Sequence, residues 1–80
     1  MIKVKYRLTP IVQKIMGILS KYGFEIIRMV GDHIKINKEP PLRRPIILVN
    51  EKRLSNKVRQ NLIREAEEGG VPRKKLEELF

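Results

Sequence analysis

His33 is the only histidine in the 80-residue chain, and its side chain is the one best suited to acid–base chemistry. It directly follows Gly31-Asp32, a pair typical of a tight turn. An imidazole with its ordinary pKa of about 6.5 can accept or donate a proton at neutral pH. Cleavage of RNA needs such groups, because a base must deprotonate a ribose 2′-OH and an acid must protonate the departing 5′-oxygen. A single histidine cannot do both at once, which predicts a slow enzyme or a second participating group.

The segment HIKINK, which begins at His33, alternates in polarity like a strand with one buried face. Ile34 and Ile36 would point to the core. The opposite face would carry the imidazole of His33, the cation of Lys35 and the amide of Asn37. A cation beside the imidazole can stabilise the negative charge that a phosphate gains in the transition state. This placement makes His33 the candidate catalytic residue and Lys35 and Asn37 the candidate RNA contacts; the alternative is a lone histidine that merely ends a turn.

The turn before this strand is predicted to position the histidine. Gly31 supplies the backbone freedom that tight turns need, and Asp32 is a common turn residue. The Asp32 carboxylate can orient the imidazole, or it can repel the phosphate of an RNA substrate. The sequence leaves both effects open.

The charge balance indicates a polyanionic partner. Eighteen Lys and Arg residues against nine Asp and Glu give a net charge of +9, a strong electrostatic signal in so small a domain. An acidic protein fits this charge as well as RNA does, and solvated surface charge accounts for any single residue. Three groups of basic residues could contact phosphate, namely Arg43 and Arg44 in a proline-rich loop, Lys52 and Arg53 before a late helix, and Lys57, Arg59 and Arg64 on that helix. Among them we predict RNA contacts at Arg43, Arg44, Lys57 and Arg59.

Other chemistry finds little support in the sequence. The chain has no cysteine, and neither of two phosphate-binding glycine motifs, GxxxxGK[ST] and GxGxxG, is present. We therefore predict no metal and no small-molecule cofactor. No segment approaches the roughly 18 consecutive apolar residues of a membrane span, and no apolar stretch typical of a secretory signal follows the basic N-terminus. We expect a cytoplasmic protein that does not contact membranes.

The predicted fold class is α+β, with one domain over residues 1–80 and a basic arm at residues 1–8. Thr9-Pro10 is typical of a helix start, where Thr can cap free N–H groups, and Gly23 of its end. Segments 24–30, 33–38 and 46–49 predict a three-stranded antiparallel sheet, because tight connections join them. A helix capped by Ser55 or Asn56 follows, and a short C-terminal helix covers 73–80. The helices should pack on one sheet face.

Several short segments occur in an order typical of a known family. They are Lys21-Tyr22-Gly23-Phe24-Glu25, then Arg28, then Gly31-Asp32-His33, and a closing segment at 70–80. Together they resemble the HicA mRNA interferase family of toxin–antitoxin systems, over nearly the whole chain from Thr9 onward. The resemblance implies a fold similar to double-stranded-RNA-binding domains and metal-independent mRNA cleavage through His33. It also implies a HicB-type antitoxin as the protein partner that covers the active face.

Three positions depart from that family's pattern. Asp32 stands where serine is usual, and Ile34 where many members have a second histidine. The third strand ends in Val49-Asn50-Glu51, without the Pro and His often found there. The alternative function is therefore a non-catalytic RNA-binding or antitoxin-binding protein that has lost nuclease activity.

Overall fold

A computed structural model describes residues 7–80, so most of the predicted arm at residues 1–8 lies outside the described residues. The predicted fold class is confirmed: a helix, a three-stranded antiparallel sheet, a second helix and a short third helix follow one another. The strand β3 has the predicted bounds, whereas β1, β2 and α3 are shorter than predicted. The elements are α1 (Pro10–Ser20), β1 (Glu25–Val30), β2 (His33–Asn37), β3 (Ile46–Val49), α2 (Asn56–Glu68) and α3 (Arg73–Glu77).

The strands form a simple meander in the order β1-β2-β3, and both pairs are antiparallel. The two-residue turn Gly31-Asp32 joins β1 to β2. Gly31 has φ +58°, the left-handed region that a glycine reaches without steric cost. A positive φ confined to the first central residue matches the type II′ turn, which suits the twist of a hairpin. The pairing register shifts between Ile26 and Arg28 on β1, where one residue bulges out of the ladder.

One face of the sheet belongs to the hydrophobic core. Ile34 and Ile36 of β2 and Ile46 and Leu48 of β3 are buried. Full burial of each aliphatic side chain contributes about 1.5–3 kcal/mol. Side chains of all three helices complete this core, namely Val12, Ile15, Leu19, Leu62, Ile63, Ala66 and Leu76. No helix of residues 7–80 is long and apolar enough to cross a membrane.

The two long helices begin in different ways. Ser55 caps α2 as predicted, because its hydroxyl accepts a hydrogen bond from the N–H of Val58 at 3.2 Å. The prediction that the Thr9 side chain caps α1 is wrong. The Thr9 hydroxyl instead donates to the carbonyl of Glu51 at 2.7 Å. A long-range contact has replaced the local cap.

The end of α2 packs tightly against the residue that precedes β1. A Cβ atom at Gly69 would lie 2.3 Å from Cζ of the buried Phe24, so the ring needs a glycine there. The ammonium of Lys38 donates to the Gly69 carbonyl at 2.8 Å and lies 5.2 Å from the centre of the Phe24 ring. Phe24, which belongs to the segment Lys21-Tyr22-Gly23-Phe24-Glu25, therefore has a structural role at this helix end.

Candidate functional site

His33 is the first residue of β2, and its side chain is exposed on the sheet face opposite the core. It pairs with Val30 on β1 and with Val49 on β3. Residues that pair across antiparallel strands point to the same face, with Cβ atoms about 4.5–5.5 Å apart. The imidazole therefore lies in a row between two aliphatic side chains, and no helix of residues 7–80 covers that row.

The next row on this face carries two cations. Lys35 is exposed and pairs with Arg28 on β1 and with Ile47 on β3. Diagonal neighbours across a strand pair lie about 7–8 Å apart, within reach of long side chains. Arg28 and Lys35 can therefore both approach a phosphate held beside His33. We call Arg28, His33 and Lys35, with their aliphatic neighbours, the open face.

The predicted RNA contact Asn37 has a structural task in the loop that follows β2. Its side-chain oxygen accepts hydrogen bonds from the N–H groups of Lys38 at 2.9 Å and Leu42 at 2.8 Å. The side chain is half-buried and lies opposite Glu25, at the far end of β2 from His33. Both bonds tie up the oxygen, which leaves only the amide nitrogen for a ligand.

The open face is also rich in aliphatic surface. Ile27 at the bulge, Val30 beside His33 and Ile47 beside Lys35 are 52%, 59% and 52% exposed. Among residues 7–80, Phe80 is the other large hydrophobic side chain that is exposed. Aliphatic surface of this kind, interleaved with charge, is typical of a surface that another molecule covers.

The turn residue Asp32 is fixed through its backbone. Its carbonyl accepts a hydrogen bond from the N–H of Asn50 at 2.7 Å. The hydrogen bonds found among residues 7–80 include none between the Asp32 carboxylate and the imidazole. The exposed carboxylate therefore contributes negative charge next to His33 without orienting the ring.

Asn50 connects three parts of the chain at this end of the sheet. This role of Asn50 was not predicted from the sequence. Besides the bond from its backbone to Asp32, its side-chain nitrogen donates to the Arg7 carbonyl at 2.7 Å. Its side-chain oxygen accepts from the N–H of Thr9 at 2.9 Å. These side-chain bonds span 43 and 41 residues, so no local sequence signal could have indicated them.

The predicted RNA contacts Arg43 and Arg44 lie in the β2–β3 loop, away from His33. They line an open cleft of about 300 Å³ with Arg64, Glu65 and Glu68 of α2. Burial raises the pKa of the Glu65 carboxyl, an effect that Arg64 and Arg44 oppose and Glu68 reinforces. Both arginines thus face the helix layer, where Arg44 acts on the Glu65 carboxylate.

The predicted contacts Lys57 and Arg59 belong to the first turns of α2. Lys57 is exposed, whereas the Arg59 guanidinium lies 5.2 Å from the centre of the Phe80 ring. The Nε atom of Arg59 is buried without a hydrogen-bond partner in the described residues. Arg59 also lines a second cleft, of about 280 Å³, with Glu77 and Phe80. It therefore packs α2 against the C-terminal segment, on the helix side of the molecule.

The structure thus brings His33 and Lys35 together, adds Arg28, and separates the remaining predicted contacts from them. No group of three or more His, Asp or Glu side chains that could hold a metal ion occurs within residues 7–80.

Comparisons with protein-family models, with curated proteins and with solved structures each found no match.

Proposed function

We propose that this chain is a HicA-like toxin, a cytoplasmic endoribonuclease that cleaves mRNA without a metal and that a HicB-type antitoxin neutralises. The observation that carries the proposal is the exposed imidazole of His33 beside Lys35 and Arg28 on the open face. An acid–base group next to two cations supplies proton transfer and charge stabilisation, two contributions that metal-independent RNA cleavage uses. The net charge of +9 favours a polyanionic substrate.

His33 acts as the general base in the proposed reaction. Neutral imidazole takes the proton from a ribose 2′-OH as the 2′-oxygen bonds to the adjacent phosphorus. The bond from phosphorus to the 5′-oxygen breaks, water protonates the leaving oxygen, and a 2′,3′-cyclic phosphate forms. General base catalysis contributes about 10²- to 10⁴-fold. Because a second histidine is missing from the chain, the enzyme is slow.

Arg28 and Lys35 supply the electrostatic part of the mechanism. Negative charge accumulates on the phosphate oxygens as the phosphorus gains a fifth ligand. Two cations in the row next to His33 stabilise that charge more in the transition state than in the substrate.

The exposed aliphatic side chains favour a protein partner on the same face. Ile27, Val30 and Ile47 do not improve RNA binding as further cations would, yet each is more than half exposed. An acidic antitoxin that buries them would also cover His33 and so block the RNA site.

The Asp32 carboxylate beside the imidazole favours the second candidate function, a protein that binds RNA or antitoxin but no longer cleaves.

Expression of the chain alone in a bacterium tests the proposal. We expect the wild type to arrest growth and His33→Ala to be harmless. Ser20→Ala is the matched control, because Ser20 is exposed at the end of α1; it should stay toxic. Toxicity that survives His33→Ala would refute the catalytic role. A harmless wild type whose purified form binds RNA without cleaving it would establish the second candidate instead.

A further inference from the structure

Two similar basic pairs flank β3, and the topology separates them. Arg43-Arg44 precedes the strand and Lys52-Arg53 follows it. The two pairs therefore lie at opposite ends of the sheet. Because β3 runs antiparallel to β2, the pair that follows β3 lies at the end of the sheet where His33 begins β2. Lys52 is three residues beyond Val49, which pairs with His33, so its Cα lies at most about 11 Å from that of Val49.

Arg43-Arg44 is farther from the imidazole. Arg44 comes two residues before Ile46, which pairs with Ile36. Ile36 is itself three residues, or roughly 10 Å, along β2 from His33. The two arginines also line a cleft with α2, which packs on the other face of the sheet. Distance and direction both place them away from a phosphate held at His33.

The backbone of a third basic residue, Arg7, is held at the His33 end. The Asn50 side chain holds the backbone of Arg7, while the Asn50 backbone holds Asp32, the residue before His33. Arg7, Lys52 and Arg53 are all exposed. Within residues 7–80, the carboxylates adjacent in sequence to His33 and to Lys52 are those of Asp32 and Glu51, fewer than the three cations. Cations held on ordered backbone can follow the phosphates of a strand beyond the scissile one.

We infer that Arg7, Lys52 and Arg53 form a phosphate-binding rim at the His33 end of the sheet. The RNA strand crosses the open face past Lys35 and Arg28, reaches His33 and leaves along this rim. Arg43 and Arg44 do not contact it. The inference rests on the proposed function, since it assumes that the scissile phosphate lies at His33. It assigns the polyanion path to one of two basic pairs that the sequence alone cannot distinguish.

Binding of a short fluorescein-labelled single-stranded RNA tests the rim, with anisotropy measured over a range of KCl concentrations. All proteins carry His33→Ala so that the RNA stays intact. The test variant is Lys52→Gln/Arg53→Gln and the matched control is Arg43→Gln/Arg44→Gln, which removes the same charge. Removing one cation that neutralises a phosphate lowers the salt slope by about 0.7. We expect a decrease of about 1.4 for the rim pair and an unchanged slope for the control.

The outcomes separate the inference from the proposed function. A further decrease of about 0.7 for Arg7→Gln would support the rim. Equal losses from the two double variants would show that binding follows net charge and would overturn the rim, as would a larger loss from the Arg43/Arg44 pair. A His33→Ala protein that binds no RNA at all would overturn both the rim and an RNA target.

Discussion

The two faces of the sheet carry similar aliphatic side chains but differ in what covers them. On the helix side, Ile34 and Ile36 are fully buried in the core. On the open face, Val30 and Ile47 are more than half exposed beside an imidazole and two cations. The first set stabilises the fold. The second set is more than half exposed and buries less surface on folding. Under the proposed function, its aliphatic surface serves binding.

The largest expected effect contrasts one isoleucine from each face. Ile36→Ala should lower the free energy of unfolding by about 2–5 kcal/mol, because it leaves a cavity in the core. Ile47→Ala should cost less than about 1 kcal/mol, because its side chain is already 52% exposed. Urea denaturation followed by circular dichroism measures both. Similar losses would mean that the open face also stabilises the fold.

The packing of the covered side is tested next at Gly69. Gly69→Ala should destabilise by about 1–3 kcal/mol, because the added Cβ would collide with the Phe24 ring. Gly17→Ala is the control, since a Cβ there meets nothing within 4 Å. It lies inside α1, where Ala should stabilise by about 0.5–1 kcal/mol. Opposite signs in thermal melts are expected, and a neutral Gly69→Ala would contradict the close contact.

The open face is tested at Lys35, where stability and activity should separate. Lys35→Gln should reduce RNA cleavage roughly tenfold or more, because the substitution removes a cation near the phosphate. Its free energy of unfolding should change by no more than about 0.5 kcal/mol, as is usual for surface substitutions. Lys14→Gln, an exposed position on α1, is the control with the same charge change. If both variants cleave equally well, Lys35 has no special role.

The smallest effect concerns Glu65 on the helix side. Its pKa is raised in the folded protein, first by burial, so the folded state binds the proton more tightly than the unfolded state. Stability should therefore fall as pH rises from the ordinary carboxyl pKa through the raised one. Glu65→Gln should remove this decrease and slightly stabilise the protein at neutral pH. Denaturation at several pH values, with the exposed Glu78→Gln as control, would detect it, and an unchanged pH profile would argue against the burial effect.

The sequence predicted correctly those features that depend on the pattern of polar and apolar residues within one strand or helix. The alternation of HIKINK placed His33 and Lys35 opposite Ile34 and Ile36, and the apolar run Ile46–Val49 had the right bounds. Ser55 was an adequate cap signal. Each of these features depends on contacts within a few residues, which local pattern captures.

The rest depended on contacts between distant residues. The pairing of Arg28 with Lys35 follows a bulge at Ile27 that shifts the register, and nothing in the local composition marks it. Asn50 reads as a linker residue, yet its bonds reach Arg7 and Thr9. In the sequence, Arg59 looks like any exposed helical arginine; its contact with the ring of Phe80 follows only from the tertiary fold. The basic residues were visible, but only the topology separates them into different surfaces.

The most direct test of the account is single-turnover cleavage of RNA by the purified chain in the presence of EDTA, comparing the wild type with His33→Ala. A substrate with a single 2′-deoxy nucleotide at the cleavage position serves as the chemical control and should stay intact. We predict that His33→Ala lowers the cleavage rate by about 10²- to 10⁴-fold while RNA affinity changes little. Equal cleavage rates for the two proteins, or cleavage of the deoxy substrate, would contradict the role of His33 as the base.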